Sequence, residues 1–192
     1  LSDFLPPERR GVTVRVALRG EPAVKDVIEA IGVPHPEVEL IVAGGEAVGF
    51  GHRVRDGDRI AVFPRFVALD LGSTLRVAPP ERPAAEERFV VDGHLGRLAA
   101  YLRMLGFDTA YRNHATDDEL ARRSAEDDRA LLTRDRGLLK RSIVARGYLV
   151  RADRPHEQLA EVVERFGLAA AARPFGRCLR CTGPLEVVEP GA

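Results

Sequence analysis

The sequence predicts an α/β protein with two parts, a small α+β domain followed by a domain built on a parallel sheet. After residue 88, short apolar runs alternate strictly with helical patterns, which is typical of right-handed βαβ units. Before residue 66, one helical stripe lies among short strand patterns and glycine turns, which indicates a mostly antiparallel sheet. Between them, the proline-rich stretch 78–83 indicates a stiff, exposed connector. We therefore expect domains over 1–66 and from 88 onward, joined by a linker over 67–87.

Composition narrows the class of protein further. The 29 basic residues balance 29 acidic ones, which argues against a cationic surface that holds DNA without specificity. No apolar run approaches the roughly 20 residues that a membrane span needs, so we expect no membrane contact. The first residues show no signal peptide, and the single close cysteine pair favours a reducing cytoplasm.

The first domain shows a strand, a helix and then short strands. Residues 12–18 alternate between apolar and smaller or polar side chains, which predicts a half-buried strand. A helical stripe runs from Val24 to Ile31, and Gly32 follows where a helix commonly ends. Residues 37–42 and 60–63 predict two further strands, with Gly44-Gly45 as a hairpin turn.

One segment of this domain is similar to a known fold. Residues 55–60, leading into Val62-Phe63-Pro64, resemble the ubiquitin-like β-grasp proteins of the sulfur-carrier group. Those carriers end in an exposed Gly-Gly, whereas this chain runs on through Arg65. The strand that would precede residues 4–7 is also missing. We expect a β-grasp domain over 1–66 that lacks its first strand and has no sulfur-carrier chemistry.

The second domain places acidic residues where its strands end. Its predicted strands are 89–91, 109–111, 130–133 and 148–150, and its predicted helices are 95–105, 116–127, 137–142 and 156–166. Asp92 follows the first strand and Asp135 the third, while Asp117 and Asp118 open the helix after the second. In a parallel sheet these positions share one edge, where α/β proteins bind ligands. We therefore expect the carboxylates to converge.

Helix capping is the competing explanation for each aspartate alone. Aspartate is a favoured N-cap, and its charge is stabilised at a helix N-terminus. Thr116 and Glu119 fit a capping box, so Glu119 is expected to be structural. Capping does not explain the convergence, because carboxylates on one edge repel each other unless a cation neutralises them. Mg²⁺ or Mn²⁺ suits an all-oxygen site and would activate a water for attack on phosphorus.

Arginines accompany these carboxylates. Arg97 and Arg103 lie on the helix after Asp92, and Arg134 and Arg136 flank Asp135. Arginine binds phosphate through a bidentate fork, which predicts a polyanionic substrate. The alternative is that arginine is simply this chain's usual basic residue, since Lys25 and Lys140 are its only lysines.

Four segments of this domain carry a specific resemblance. Residues 89–99, 102–109, 117–120 and 131–136 resemble the Mut-seven C-terminal RNase family, a group of PIN-like nucleases. The resemblance implies a PIN-like RNase domain over 88–170 with an α/β/α sheet architecture, acting on RNA with Mg or Mn. It also implies that Asp92 and Asp135 are catalytic metal ligands. The middle ligand falls in 117–119, with Asp117 and Asp118 favoured and the choice between them open.

The last segment is similar to the start of that family's zinc ribbon. Cys178 and Cys181, within residues 171–192, would supply two of the four ligands that a structural zinc site requires. A second Cys-x-x-Cys is missing, so we expect a truncated ribbon that binds zinc only if a longer chain supplies that pair. Together with the missing first strand, this predicts a chain shortened at both ends.

Two other functions remain open from the sequence. The first is a non-catalytic adaptor, in which the α/β domain only binds RNA and the β-grasp domain recruits a protein. The second is a phosphotransfer or receiver-like domain, which also places aspartates on this edge. That class needs a lysine after a later strand, whereas Lys140 lies on the helix after Asp135.

Overall fold

A computed structural model describes residues 1–65, 75–79 and 82–186. The chain divides into two compact units, Leu1–Pro80 and Glu81–Ala192. Parts of the predicted linker and of the predicted zinc-ribbon segment lie outside the described residues, at 66–74, 80–81 and 187–192. Within the described residues, no helix combines the length and apolar character needed to cross a membrane.

Within its described residues, the first unit contains an α-helix and a three-stranded antiparallel sheet. Its elements are α1 (Val24–Ala30), β1 (Leu40–Ala43), β2 (Glu46–Ala47) and β3 (Ile60–Phe63), and the strand order is β2-β1-β3. Val24 and Ile28 of the helix and Ile41 of β1 are buried. Gly44 and Gly45 have φ of 59° and 94°, the positive values that a tight two-residue hairpin turn requires.

The predicted strand over residues 12–18 is wrong. The segment forms no strand, and Val12 and Val16 are 60% and 41% exposed. Alternating apolar residues form a strand only when a neighbouring strand satisfies their backbone groups. In the part of the chain that the structure describes, the sheet of this unit contains only β1, β2 and β3.

The second unit is a parallel α/β sheet, as predicted. Its strands are β4 (Arg88–Val91), β5 (Asp108–Tyr111), β6 (Ala130–Thr133) and β7 (Gly147–Leu149). Its helices are α2 (Gly96–Met104), α3 (Asp117–Glu126), α4 (Arg136–Leu139) and α5 (Pro155–Phe166). The strand order is β5-β4-β6-β7, so the chain moves to one side of β4 and then crosses to the other.

The core of this unit has helices on both faces of the sheet. Side chains alternate along a strand, so Phe89 and Val91 face one side and Val90 the other. Phe89 and Val91 belong to a buried cluster with residues of α2 and α5, including Leu98 and Val162, while α3 contacts β4 and β6. Each buried leucine contributes about 1.5–3 kcal/mol relative to an exposed one.

Ion pairs fasten the amino ends of the strands. Arg129, just before β6, donates to both carboxylate oxygens of Asp108 at 2.9 and 3.1 Å and to the Phe89 carbonyl at 3.3 Å. Arg146, before β7, pairs with the buried Glu87 at 2.5 Å. Burial alone would raise the pKa of Asp108, but the hydrogen bonds and charge of Arg129 hold that pKa below its usual value.

We predict that Asp108→Asn destabilises the second unit by about 2–4 kcal/mol at neutral pH, because it leaves the buried Arg129 charge poorly compensated. The lowered pKa of Asp108 means that its contribution is complete above its unfolded pKa and is lost as the pH falls through its folded pKa. Denaturant unfolding measured from pH 7 to pH 2 should therefore show the free energies of unfolding of the wild-type chain and of Asp108→Asn converging in acid. Asp127→Asn is the control, since the half-exposed Asp127 contacts Arg129 through one nitrogen and should cost under about 1 kcal/mol. A difference in free energy of unfolding between the wild-type chain and Asp108→Asn that stays constant at all pH values would contradict a stabilising role of the Asp108 charge.

Candidate functional site

The predicted edge of the parallel sheet is formed where β4 and β6 end side by side. Asp92 directly follows β4, and its N–H donates to the carbonyl of Leu132 in β6 at 3.0 Å. Asp135 lies two residues after β6. The connection from β4 leads to β5 on one side and the connection from β6 leads to β7 on the other, so this is the point where the strand order reverses. Open α/β sheets bind ligands at the carboxyl ends of strands at such a point.

Thr133 links the two aspartates. Its side chain is fully buried, and its hydroxyl donates to Asp92 Oδ2 at 2.7 Å. The Thr133 hydroxyl oxygen also accepts a hydrogen bond from the Asp135 N–H at 3.0 Å. One hydroxyl therefore orients the Asp92 carboxylate and fixes the backbone that carries Asp135.

The two carboxylates also cap helical turns, so both explanations from the sequence apply. Asp135 Oδ1 accepts from the N–H of Gly137 at 2.6 Å and of Leu138 at 3.4 Å. Its Oδ2 accepts no hydrogen bond from the described residues. From the described residues, Asp92 Oδ1 accepts one long contact, of 3.4 Å, from the His94 N–H. Each aspartate thus keeps one oxygen that is free or weakly held.

The middle carboxylates do not join this pair. Asp118 is bound by Arg141, which also lies 3.9 Å from Asp117. The described residues contain no group of three or more His, Cys, Asp or Glu side chains placed to share a metal ion. The expectation that three carboxylates converge is therefore corrected, because Arg141 holds the acidic start of α3.

Glu119 is a structural residue, as predicted. Its carboxylate accepts from the Thr116 N–H at 2.9 Å, and its own N–H donates to the Thr116 hydroxyl at 3.3 Å. The capping box is therefore complete. The hydrogen bond from the Thr116 backbone lowers the pKa of Glu119.

The donor set at Asp92 and Asp135 fits a hard cation in part. Mg²⁺ prefers oxygen ligands and is commonly held by one or two carboxylates while it keeps several waters. The free Asp135 Oδ2 and the weakly held Asp92 Oδ1 are ligands of this kind. No lysine or arginine of the described residues forms an ion pair with either aspartate.

A cavity of about 550 Å³ lies in the same unit. It is lined by His94, Leu95, Gly96, Arg97, Tyr111, Arg134, Asp153, Pro155 and Gln158. Arg97 and Arg134 thus line the same cavity, and Arg134 pairs with Asp153 at 2.6 Å. Arg136 is exposed beside Asp135 but does not line the cavity.

Sequence reasoning missed Asp153. It follows β7 by a few residues, much as Asp92 follows β4, and that spacing could have identified it. Its side chain is 84% exposed and contacts only Arg134 among charged groups of the described residues.

Two glycines allow the chain before and at the start of α2 to pack closely against the end of β5. A Cβ on Gly96 would lie 2.5 Å from the Tyr111 hydroxyl, and one on Gly93 would lie 2.5 Å from the Asn113 carbonyl. The Tyr111 hydroxyl donates to the Gly93 carbonyl at 3.0 Å. The start of α2 can approach β5 this closely only because these positions have no side chain.

Arg103 lies away from this edge, which corrects the expectation that it contacts substrate. It is only 5% exposed, and burial lowers its pKa. Its guanidinium donates to the carbonyls of Thr109, Leu179 and Arg180 at 2.8–3.0 Å. Arg103 therefore fastens the turn containing Cys178 and Cys181 onto β5.

The cysteine turn is compact. The Cys178 N–H donates to the Gly183 carbonyl at 2.8 Å, and the Thr182 N–H donates to the Cys178 carbonyl at 3.0 Å. Hydrogen bonds from the backbone of Cys181 and Arg180 lower the pKa of the Cys178 thiol. Both cysteines are free, and they provide two thiols where a structural zinc ion needs four ligands. Zinc binding by this turn stays a prediction.

Comparison with protein families agrees with this architecture. A family model described as Mut7-C RNAse domain matches residues 87–192, and one described as Mut7-C ubiquitin matches residues 1–70. No curated protein and no solved structure matches the chain. The family resemblance and the fold class predicted from the sequence are thereby confirmed.

We predict that Arg103→Lys loosens the cysteine turn, because a lysine ammonium cannot span the three carbonyls that the guanidinium fork reaches. Hydrogen exchange at the Cys178 and Thr182 amides should become about tenfold faster, the equivalent of roughly 1.4 kcal/mol. Arg97→Lys, an exposed arginine on the same helix, should leave that exchange unchanged. Unchanged exchange in Arg103→Lys, together with weaker RNA binding, would restore Arg103 as a substrate contact.

Proposed function

We propose that this chain, which belongs to the Mut7-C RNAse family, is a ribonuclease that hydrolyses RNA phosphodiester bonds with a divalent cation held by Asp92 and Asp135. The observation that carries this proposal is the pair of unneutralised aspartates, joined by Thr133, at the point where the strand order reverses. We restrict the proposed ligands to these two residues, because Asp117 and Asp118 contact Arg141.

The cation would be Mg²⁺ or Mn²⁺, in keeping with two carboxylate ligands. When bound, it supplies a Lewis acid for a phosphoryl oxygen and lowers the pKa of a water near phosphorus. Asp92 and Asp135 hold it, and the buried Thr133 hydroxyl keeps the Asp92 carboxylate in one orientation. A carboxylate that is already oriented does not have to move as charge develops in the reaction, so no energy is lost to its reorganisation.

Arginines would bind the RNA backbone. Arg97 and Arg134 line the cavity, and the exposed Arg136 lies beside Asp135. Their guanidinium groups would offset the charge of phosphates that approach two carboxylates. Arg134 would exchange its contact with Asp153 for one with phosphate, because that ion pair is exposed and therefore weak.

A non-catalytic RNA-binding adaptor is the second candidate. The lack of a three-ligand group among the described residues favours it, since a two-carboxylate site binds cations more weakly. In this alternative the ubiquitin-like unit recruits a protein partner, and RNA is retained without cleavage in EDTA. Divalent-dependent cleavage distinguishes the two candidates directly.

We predict that Asp135→Asn abolishes divalent-dependent RNA cleavage while shifting the melting temperature little. Asparagine keeps the oxygen that caps Gly137 but loses the charge that holds a cation. Cleavage of a labelled RNA across a Mg²⁺ and Mn²⁺ titration measures the first effect, and thermal unfolding measures the second. Asp26→Asn, an exposed aspartate in α1, is the control and should retain wild-type cleavage. Full activity in Asp135→Asn would exclude the metal role.

We predict that Thr133→Val weakens cation binding at this site. Valine keeps the β-branched shape in the strand but removes the hydroxyl that orients Asp92 and Asp135. Loss of such a supporting hydrogen bond typically costs about 10–100-fold in metal affinity or activity. The Mn²⁺ concentration at half-maximal cleavage should rise accordingly in Thr133→Val and stay near wild type in Thr133→Ser. Equal behaviour of the two variants would show that the hydroxyl has no such role.

A further inference from the structure

Gln158 holds an amide in a fixed orientation in the cavity wall. It lies in the first turn of α5 and is only 5% exposed. Its Nε2 donates to the carbonyls of Ala152 and Asp153 at 3.1 and 3.2 Å. Two carbonyl oxygens can be satisfied only by the nitrogen end of the amide, so the group cannot flip without losing both hydrogen bonds.

The other end of this amide is an unused acceptor. Gln158 Oε1 accepts no hydrogen bond from the described residues, and it is not among the buried polar atoms sealed from solvent. Gln158 is otherwise covered and is one of the residues that line the cavity, so we infer that its exposed oxygen is on the cavity side. The chain therefore presents a carbonyl oxygen there, with no competing donor from the same amide.

The rest of the cavity suits one nucleotide. Its volume of about 550 Å³ lies in the usual range for small-ligand sites. Tyr111 and Pro155 provide apolar surface for a base, and Arg97 provides a cation for a phosphate. The first turn of α2 has no side-chain cap and no acidic residue. Its backbone N–H groups therefore also favour binding of an anion such as phosphate.

We propose that this cavity binds one nucleotide of the RNA and that Gln158 Oε1 selects bases with an exocyclic amino group. Cytosine and uracil are the sharpest pair, because cytosine carries an N4 amino donor where uracil carries an O4 acceptor. The amide oxygen accepts a hydrogen bond from the cytosine donor, whereas it repels the uracil oxygen. This specificity rests on the proposed ribonuclease function, but the binding that underlies it needs no cleavage.

Binding in EDTA tests the proposal without the reaction. Cytidine and uridine 5′-monophosphates are titrated by NMR, and labelled r(C)6 and r(U)6 by fluorescence anisotropy. We expect the wild-type chain to bind the cytosine member of each pair at least about fivefold more tightly, since one hydrogen bond is worth about 1 kcal/mol. A preference seen only with the hexamers would mean that the site needs an RNA chain rather than a free nucleotide.

Variants test whether the Gln158 amide causes the preference for cytosine over uracil. Gln158→Met should bring the cytosine and uracil affinities together, whereas Arg97→Ala should weaken both and keep their ratio. Glu157→Met, at the neighbouring exposed position on α5, should leave both affinities unchanged. Equal binding of cytosine and uracil by the wild-type chain overturns the proposal whether or not Gln158→Met folds. RNA cleavage without base preference would overturn this inference alone, and base preference without cleavage would overturn the ribonuclease proposal alone.

Discussion

The pairing of β4 with β6 is the constraint on which the second unit depends. After β4 the chain forms β5 on one side, and it must then cross back over a full strand to place β6 on the other. That crossing leaves two strand ends adjacent with their connections leading away in opposite directions, which opens space above them. The hydrogen bond from the Asp92 N–H to the Leu132 carbonyl extends the pairing by one residue, up to the aspartates themselves.

The carboxylates at the amino edge of this sheet have different partners from Asp92 and Asp135 at the carboxyl edge. At the amino edge, arginines neutralise buried or half-buried carboxylates, as with Arg129 and Asp108 or Arg146 and Glu87. At the carboxyl edge, Asp92 and Asp135 receive only hydroxyl and backbone N–H groups from the described residues. The balanced composition of the chain therefore does not mean that each carboxylate is paired locally, because Asp92 and Asp135 have no cationic partner among the described residues whereas Asp108 and Glu87 each have an arginine.

Periodicity made much of the second unit predictable. Strands such as 130–133 and the capping box at Thr116 depend on neighbouring residues, and both are found where the sequence places them. Contacts between distant residues were not predictable in this way. Arg141 binds Asp118 from 23 positions away, and Arg103 reaches carbonyls 76 and 77 positions along the chain. An arginine beside an aspartate in sequence gives no sign of which distant group it will meet.

The strand predicted over 12–18 shows the opposite limit. Its alternation is a local property, but a strand exists only with a partner, and the described part of the first unit offers none there. Asp153 follows the predicted strand over 148–150, but its partner Arg134 lies 19 positions away, and the neighbouring sequence gives no sign of that contact.

The cysteine turn has a consequence for the colloidal behaviour of the protein. Because β5 is an edge strand, its outward backbone groups could recruit a strand from another molecule. The Thr182 hydroxyl accepts the Thr109 N–H at 2.9 Å, and Arg103 covers the Thr109 carbonyl at 2.9 Å. The turn thus shields the sheet against intermolecular strand addition. A chain cut before Thr182 would leave the outward backbone groups of β5 uncovered and would become prone to aggregation, even with the rest of the unit intact.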